Sequence, residues 1–297
     1  MKKFSFSSIK NSSVLYCGCS KILRNIHFEL TSGEIVGLVG RNGSGKTTLF
    51  RTLSNQYLAD TGEVWIHGEN IFEQPQYKTE LFFIDEKENF FNPYSLKKIA
   101  SFYQLSYPKF DMDLFTQLVN AYHLPINRNY QRISKGMQKL FLLILAMSAK
   151  ATYILLDEPF DGLDYLVKKQ MVELLLDAIS NEPISILVSS HQLNELEPII
   201  DRVLLLSQHT ITQDYQLESL REKARKLQLV FKGKDIPELV KQNSKAIDIQ
   251  GRVIVALFEN YNTELAQQIK ALDPIVMEEL PIQLSDVFEA NLRNEKI

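Results

Sequence analysis

Residues 40–47, which read Gly-Arg-Asn-Gly-Ser-Gly-Lys-Thr, combine the residue types needed to hold a nucleoside triphosphate by its phosphates. Two glycines five positions apart, followed by Lys and a hydroxyl residue, form the phosphate-loop pattern. Glycines permit a tight turn with inward-pointing backbone N–H groups, and they place no Cβ in the way of a phosphate. The residues predicted to bind the nucleotide here are Asn42, Gly43, Ser44, Gly45, Lys46, Thr47 and Thr48. The alternative is a glycine-rich surface turn.

The surroundings of this loop favour nucleotide binding over a surface turn. Lys46 supplies a compact positive charge, and the hydroxyl of Thr47 is a suitable ligand for Mg²⁺. The apolar run 35–39 predicts a buried strand that enters the loop, while Leu49 and Leu53 predict the inner face of a helix that leaves it. The start of such a helix adds the positive end of its dipole at the same place.

A second group of reactive side chains follows two later strands. The apolar run 152–156 leads directly into Asp157 and Glu158, and the run 184–188 ends in Ser-Ser before His191. Carboxylates at the carboxyl end of a buried parallel strand lie in the crevice where open α/β sheets bind ligands. Strands alternate with helices from 152 to 207, which predicts a parallel sheet with helices on its faces.

Composition limits the remaining possibilities. The chain has 297 residues, 45% hydrophobic and 23% charged, which is typical of a globular protein of about two domains. A net charge of −3 gives no argument for a nucleic-acid surface or a polybasic membrane anchor. Cys17 and Cys19 are too few for a disulfide framework. No run has the length of a signal peptide or membrane span, so we expect a cytoplasmic protein whose membrane role, if any, comes through another subunit.

The other segments predict the domain organisation. Residues 5–30 predict two strands around a turn at 17–20, where Tyr16 is placed either to stack on a nucleotide base or to serve as an ordinary strand aromatic. Strand signals are missing from about 85 to 147, and proline-bounded helical segments there predict a helical subdomain. We therefore predict an ATPase domain over 1–214 and a small α+β accessory domain over 215–297, which opens with a charged helix at 217–226.

The motifs taken together resemble the nucleotide-binding subunit of an ATP-binding-cassette (ABC) transporter. Besides the phosphate loop, they are Ser134-Lys135-Gly136 before an apolar helix, Asp157-Glu158 and His191, in consistent order over about residues 14–208. This resemblance implies an α/β fold with a P-loop NTPase core, in which a RecA-like parallel sheet is joined by an N-terminal antiparallel β part. It also implies ATP and Mg²⁺ as cofactors and ATP hydrolysis as the activity.

The resemblance assigns a role to each reactive residue. Asp157 and Thr47 hold magnesium, and the alternative for Asp157 is a helix-capping role. Glu158 polarises the attacking water, and His191 contacts the γ-phosphate. Ser134, Lys135 and Gly136 bind the nucleotide of a second ABC ATPase subunit, identical or related, so that two ATP molecules lie between the subunits of a head-to-tail dimer. Asp164 belongs to the loop that crosses this interface.

Two departures from the family pattern bear on the subfamily. Asp85-Glu86 stands where the family usually has glutamine; Glu86 is expected to bind the water of the metal, with an added negative charge that retunes hydrolysis. The Lys-Gly-Met signature is similar to that of exporters with separate transmembrane permease subunits. We therefore expect an ATPase at the inner face of the cell membrane that drives export of molecules such as peptides, antibiotics or lipid-like molecules. Phe90, Phe91 and Tyr94 either line a socket for the permease or pack the subdomain.

Two other functions are compatible with the same cassette. An ATP-gated clamp on DNA or ribosomes usually has two cassettes in one chain or a long coiled coil, and this sequence has one cassette and no sustained heptads. We therefore expect no nucleic-acid partner. An inactive regulatory cassette is disfavoured because Lys46, Asp157, Glu158 and His191 are all present.

Overall fold

The computed structural model describes residues 3–7, 13–16, 20–85, 89–233 and 235–287. The chain divides into two compact units, Met1–Asp214 and Tyr215–Ile297. The strands of the first unit are β1 (Lys3–Ser7), β2 (Ser13–Tyr16), β3 (Ser20–Arg24), β4 (Phe28–Thr31), β5 (Ile35–Val39), β6 (Glu63–Ile66), β7 (Glu69–Asn70), β8 (Leu81–Phe83), β9 (Tyr153–Leu156), β10 (Ser185–Ser190), β11 (Arg202–Ser207) and β12 (Thr210–Gln216), which runs into the second unit. Its helices are α1 (Lys46–Leu53), α2 (Leu96–Ser106), α3 (Met112–Ala121), α4 (Lys135–Ser148), α5 (Tyr165–Asn181) and α6 (Leu193–Leu196).

A six-stranded sheet in the order β12-β11-β5-β10-β9-β8 forms the centre of the first unit. The strands from β11 to β8 pair in parallel. Every residue of β5 and β10 is buried, as expected for inner strands of a parallel sheet covered on both faces. Because parallel strands end at one edge, the residues that follow β5, β8, β9 and β10 meet there.

The N-terminal part contains more strands than the sequence predicted. Instead of two strands within residues 5–30, the structure has four: β2 pairs with β3, while β1 pairs with β4 and β6 in a separate antiparallel sheet. The predicted hairpin is therefore present, although residues 17–19 of its turn lie outside the described part. β1 and β4 were missed because such short strands are defined by their pairing partners rather than by a local pattern.

Strand β12 was also missed. It lies beside β11 and follows it after a two-residue connection, Gln208 and His209, whose φ values are 48° and 70°. Two consecutive positive φ angles define the type I′ turn of a tight hairpin, which usually shows Asn-Gly or Asp-Gly in the sequence. Gln-His carries no such signal.

The helices between β8 and β9 form the predicted helical segment. Ser95 and Asp111 cap α2 and α3 by accepting hydrogen bonds from the N–H groups of Lys98 and Leu114. Helix α4 is buried from Leu140 to Ser148, in agreement with its apolar sequence. The predicted helix near 192–199 is shorter in the structure than in the prediction and covers Leu193–Leu196. Within the described ranges, no helix is long and apolar enough to cross a membrane.

The second unit is an antiparallel sheet with helices. Its elements are α7 (Leu217–Lys223), β13 (Arg225–Val230), α8 (Glu238–Asn243), β14 (Ala246–Gln250), β15 (Val253–Phe258), α9 (Thr263–Ala271) and β16 (Val276–Leu280), with the strands in the order β14-β15-β13-β16. Leu229 and Phe258 on the sheet pack with Val240 and Ile269 of the helices. The predicted charged helix ends earlier than residue 226 because Arg225 already begins β13. A helix occupies 284–287, and the rest of the predicted 285–292 helix lies outside the described residues.

Candidate active site

The loop between β5 and α1 has the backbone geometry that its glycines permit. Gly43 and Gly45 have φ values of 83° and 108°, which L side chains rarely adopt. Gly40 is required for a different reason, because a Cβ there would lie 2.5 Å from the carbonyl oxygen of Leu206. The loop therefore packs closely against β11 before α1 begins at Lys46.

Lys46 lies over its own loop and beside one of the two acids. Its Nζ donates a hydrogen bond to the carbonyl oxygen of Gly40 at 2.8 Å and lies 3.0 Å from Oε1 of Glu158. The residue is 5% exposed. A buried ammonium group held in this way provides a fixed positive charge next to the loop.

Asp157 is held through both carboxylate oxygens. Oδ2 accepts from the hydroxyl of Thr47 at 2.6 Å, and Oδ1 accepts from the hydroxyl of Ser189 at 2.6 Å. Hydroxyl and carboxylate oxygens are the donors that Mg²⁺ prefers, and Thr47 and Asp157 already lie within contact of each other, so the pair fits this ion. Among the described residues no group of three or more His, Cys, Asp or Glu forms a metal cluster. Mg²⁺ needs none, since substrate phosphates and water complete its shell.

Glu158 is fixed by its backbone as well as by its side chain. Its φ of 47° is unusual for a residue with a Cβ. Its N–H donates to Ser189 Oγ at 2.9 Å, and its carbonyl oxygen accepts from Lys139 Nζ at 2.7 Å. Its Oε2 lies 3.6 Å from Nδ1 of His191, whose Nε2 is 3.2 Å from the Gln192 side chain. The carboxylate is thus placed between Lys46 and His191.

Lys46, Thr47, Asp157 and Glu158 line a cleft of about 550 Å³, a size typical of small-molecule sites, whereas His191 is not among its lining residues. Its lining residues are Ile22, Asn42, Gly43, Gly45, Lys46, Thr47, Thr48, Asp85, Lys139, Asp157, Glu158 and Asp161. Ser44 lies in the same loop, and its buried hydroxyl has no hydrogen-bond partner among the described residues. The structure therefore brings the predicted loop residues and both acids together.

Four of the other predicted residues are not part of the described lining of this cleft. Ser134 and Asp164 cap α4 and α5 through hydrogen bonds from the N–H groups of Met137 and Val167. Lys135, Gly136, Ser134 and Asp164 do not line the cleft. Gly136 instead faces α5, where a Cβ would lie 3.2 Å from Cγ2 of Val167. The side chain of Tyr16 and the whole of Glu86 lie outside the described residues, so their roles stay predictions.

Lys139, Ser189, Asp85 and Arg51 were not predicted. Ser189 follows the strand that carries His191, and its position at the sheet edge was the available signal. Arg51, on α1, forms an ion pair with Asp85, whose Oδ2 lies 2.5 Å from the Arg51 Nη2. Burial alone lowers the pKa of Arg51, but its bonds with Tyr57 and Asp85 outweigh burial and raise the pKa. No sequence pattern marks this pair, because it joins two elements that are distant in the chain.

Known proteins share both the sequence pattern and the fold. Residues 23–161 match the ABC transporter family. The chain is 31% identical over 277 residues to the ABC transporter ATP-binding protein YtrB of Bacillus subtilis, covering 93% of this chain and 95% of that relative. It is 26% identical over 217 residues to the bacitracin transport ATP-binding protein BcrA of Bacillus licheniformis, covering 70% of this chain and 69% of BcrA.

Solved structures agree on the fold. An ATP-binding subunit of an ABC transporter superposes with a TM-score of 0.65 at 21% identity, covering 74% of this chain and 92% of that structure. An ATP-bound bacterial Atm1-family ABC exporter gives a TM-score of 0.63 at 19% identity, covering 74% of this chain and 40% of that one. The predicted fold class, an α/β P-loop NTPase core, is thereby confirmed. By its identity with YtrB over nearly the whole length and by the family match of residues 23–161, the chain belongs to the ABC transporter ATP-binding proteins, a family of ATPases.

Proposed function

We propose that the chain is the ATP-hydrolysing subunit of an exporter and that ATP binds in the cleft at the carboxyl edge of the six-stranded sheet. The observation that carries this proposal is the convergence of Lys46, Thr47, Asp157 and Glu158 beside the phosphate loop. Loop N–H groups, the α1 N-terminus and Lys46 supply the positive potential that phosphates need. Thr47 and Asp157 would hold Mg²⁺, which would supply positive charge to offset that of the phosphates.

Glu158 is the residue proposed to orient the attacking water. Its carboxylate is 29% exposed and lies next to His191, so water can reach it while its backbone stays fixed by Ser189 and Lys139. Phosphoryl transfer depends mainly on positioning and on charge stabilisation, and a rigid carboxylate at the cleft serves the first of these needs. His191, 3.6 Å from Oε2 of Glu158, is proposed to contact the terminal phosphate and to hold Glu158 in place.

The residues outside the cleft are proposed to complete the cleft of a second subunit. Ser134 and Lys135 are exposed at the start of α4, and Asp164 is exposed at the start of α5. The two helix starts lie side by side because Gly136 fits closely against Val167. Exposed N–H groups at the start of α4 suit an anion that another subunit carries, so we propose a head-to-tail dimer, homomeric or heteromeric, that closes on ATP. The unit 215–297 is proposed as an accessory domain that strengthens this dimer.

An apolar groove on the helical segment is proposed to receive the permease. A groove of about 480 Å³ is lined by Phe90, Tyr94, Lys98, Ile99, Ser101, Phe102 and Leu105. Leu105 is 87% exposed, and Phe102 and Phe90 are each nearly half exposed. Exposed apolar surface of this kind marks interaction sites. Phe91 is different: it is buried against Tyr103 and Tyr130 and packs the subdomain.

Export rather than import is supported by the Lys-Gly-Met signature. BcrA is named for bacitracin transport, and one structural neighbour is an exporter. We therefore propose peptides, antibiotics or lipid-like molecules as the transported class, and a place at the cytoplasmic face of the membrane beside separate permease subunits.

The dimer is tested with Glu158→Gln, which keeps the side-chain shape but removes the carboxylate. Size-exclusion chromatography of this variant with ATP and Mg²⁺ should show a dimer, because ATP binds and is not hydrolysed. Lys46→Ala is the control, since it should bind no ATP and stay monomeric. A Glu158→Gln protein that binds ATP and remains monomeric would refute the closing dimer.

The groove is tested by charge insertion. Leu105→Glu should prevent isolation of the chain together with its membrane subunits, while the ATP affinity of the isolated chain stays unchanged. Leu58→Glu is the matched control, because Leu58 is 80% exposed and lies outside the groove. Equal recovery of membrane subunits with both variants would argue against this docking site.

A further inference from the structure

An acid occupies an unexpected position in the proposed nucleotide cleft. Asp85 follows β8 at the carboxyl edge of the sheet, and it lines the cleft together with Asp157, Glu158 and Asp161. The lysines on the same lining are Lys46 and Lys139. A triphosphate is itself strongly negative, so a further carboxylate in this cleft should oppose its binding unless its charge is offset.

Arg51 supplies a positive charge that can offset the negative charge of Asp85. Its Nε and Nη2 approach Oδ2 of Asp85 at 2.6 and 2.5 Å. Arg51 and Asp85 are 8% and 7% exposed, so water screens this pair only weakly. Arg51 does not line the cleft itself. Its charge therefore acts on a ligand mainly through Asp85.

The position of Arg51 is fixed by two further features. It lies on α1, little more than one helical turn after Lys46, so the phosphate loop and the ion pair belong to one rigid element. Its Nη1 donates to the hydroxyl of Tyr57, and its guanidinium carbon lies 5.1 Å from the centre of the Tyr57 ring. A planar fork held against an aromatic ring keeps its direction better than a flexible ammonium group would.

We propose that Arg51 is a positioning residue for nucleotide binding, which holds the Asp85 carboxylate and cancels its charge so that an acid can stand where the family usually places glutamine. The proposal rests on the proposed placement of ATP in this cleft. It predicts that the effects of Asp85 and Arg51 on ATP affinity depend on each other. Asp85 does not weaken ATP binding while Arg51 is present, and it repels ATP when Arg51 is removed.

The test is a double-mutant cycle on nucleotide affinity. Arg51→Met should weaken the binding of Mg-ATP about tenfold or more, measured by calorimetry, because the buried Asp85 carboxylate loses the positive charge of Arg51. Asp85→Asn should bind within about threefold of the unmodified chain, and the double variant should recover to the same range. Lys150→Met is the control, because its ion pair with Glu182 lies outside the cleft.

Two results would overturn the proposal. Unchanged affinity in folded Arg51→Met would show that the ion pair serves only the fold. A double variant as weak as Arg51→Met would show that Arg51 acts on ATP without Asp85. If Arg51→Met does not fold, Arg51→Gln alone and combined with Asp85→Asn complete the same comparison, because glutamine also removes the positive charge. Failure of the unmodified chain to bind Mg-ATP, or binding that survives Lys46→Ala, would instead refute the proposed site.

Discussion

Replacing Lys139 with methionine should slow ATP hydrolysis more than it weakens ATP binding. The lysine Nζ donates at 2.7 Å to the carbonyl oxygen of Glu158, and the substitution removes this bond while keeping most of the aliphatic stem. Glu158 has a φ of 47°, a backbone conformation that costs roughly 1–2 kcal/mol for a residue with a Cβ. The backbone bonds from Lys139 and to Ser189 stabilise that conformation.

The magnitude follows from the kind of bond that is lost. A hydrogen bond from a charged donor contributes about 1.5–3 kcal/mol. This is as large as the cost of the positive φ at Glu158, roughly 1–2 kcal/mol, so loss of the bond removes most of what stabilises that backbone conformation. If Glu158 then leaves its position in most molecules, kcat should fall about tenfold to a hundredfold. KM should rise less than kcat falls, since Lys46 and the phosphate loop remain.

The assay is the steady-state release of phosphate at several ATP concentrations, with the melting temperature as a check of folding. Lys139→Arg should recover much of the rate because it keeps a charged donor, and Lys150→Met should behave like the unmodified protein. A folded Lys139→Met protein with an unchanged kcat would refute the argument that Lys139 positions Glu158. An equal loss of rate in Lys139→Arg would point to a direct role for the lysine itself.

Three other predictions concern the stability and coupling of the same unit. Ser189→Ala should lower kcat, and it should lower the free energy of unfolding by about 1–3 kcal/mol. The reason is that the buried Ser189 hydroxyl forms hydrogen bonds with both Asp157 and the backbone N–H of Glu158. An unchanged kcat would show that these two bonds do not position the acids. Phe91→Ala should lower the free energy of unfolding, measured in urea titrations, by about 3–5 kcal/mol because Phe91 is fully buried. Phe90 is nearly half exposed, so Phe90→Ala should lower it far less. Equal losses in the two variants would contradict this difference in burial. Burial raises the pKa of Glu80, but bonds from Lys109 and Thr152 outweigh burial and leave that pKa lowered. The ionised Glu80 carboxylate therefore stabilises the fold fully above about pH 4.3, the ordinary pKa of a glutamate side chain. This stabilisation is lost as the pH falls through the lowered pKa of Glu80. The difference in melting temperature between the unmodified chain and Glu80→Gln should accordingly shrink from about pH 6 to about pH 3, and a constant difference would count against this ion pair.

The sequence predicted the elements that carry strong local patterns. Strands β5, β9 and β10 are continuous apolar runs, and the loops after them contain motifs with fixed spacing, so the positions of Lys46 and Asp157 followed directly. β12 was missed because its turn is made by Gln208 and His209, which carry no turn signal.

The support of the site was harder to predict than its reactive groups. Lys139 and Ser189 act through single hydrogen bonds to Glu158, which depend on how α4 and β10 pack on β9. Such contacts join residues 19 and 31 positions apart, and no periodicity encodes them. Asp85 was noticed as a departure from the family, but only the structure shows that Arg51 accompanies it.

The order of strands in the central sheet determines when the active site can form during synthesis and folding of the chain. Thr47 and Asp157 meet although 110 positions separate them, and the segments after β8 and β10 must join the same edge. Contacts between such distant segments form slowly, because long loops have to close before any of them is stable. If Asp157 and Glu158 have the proposed roles, a growing chain should have no ATPase activity until β9 and β10 have been added.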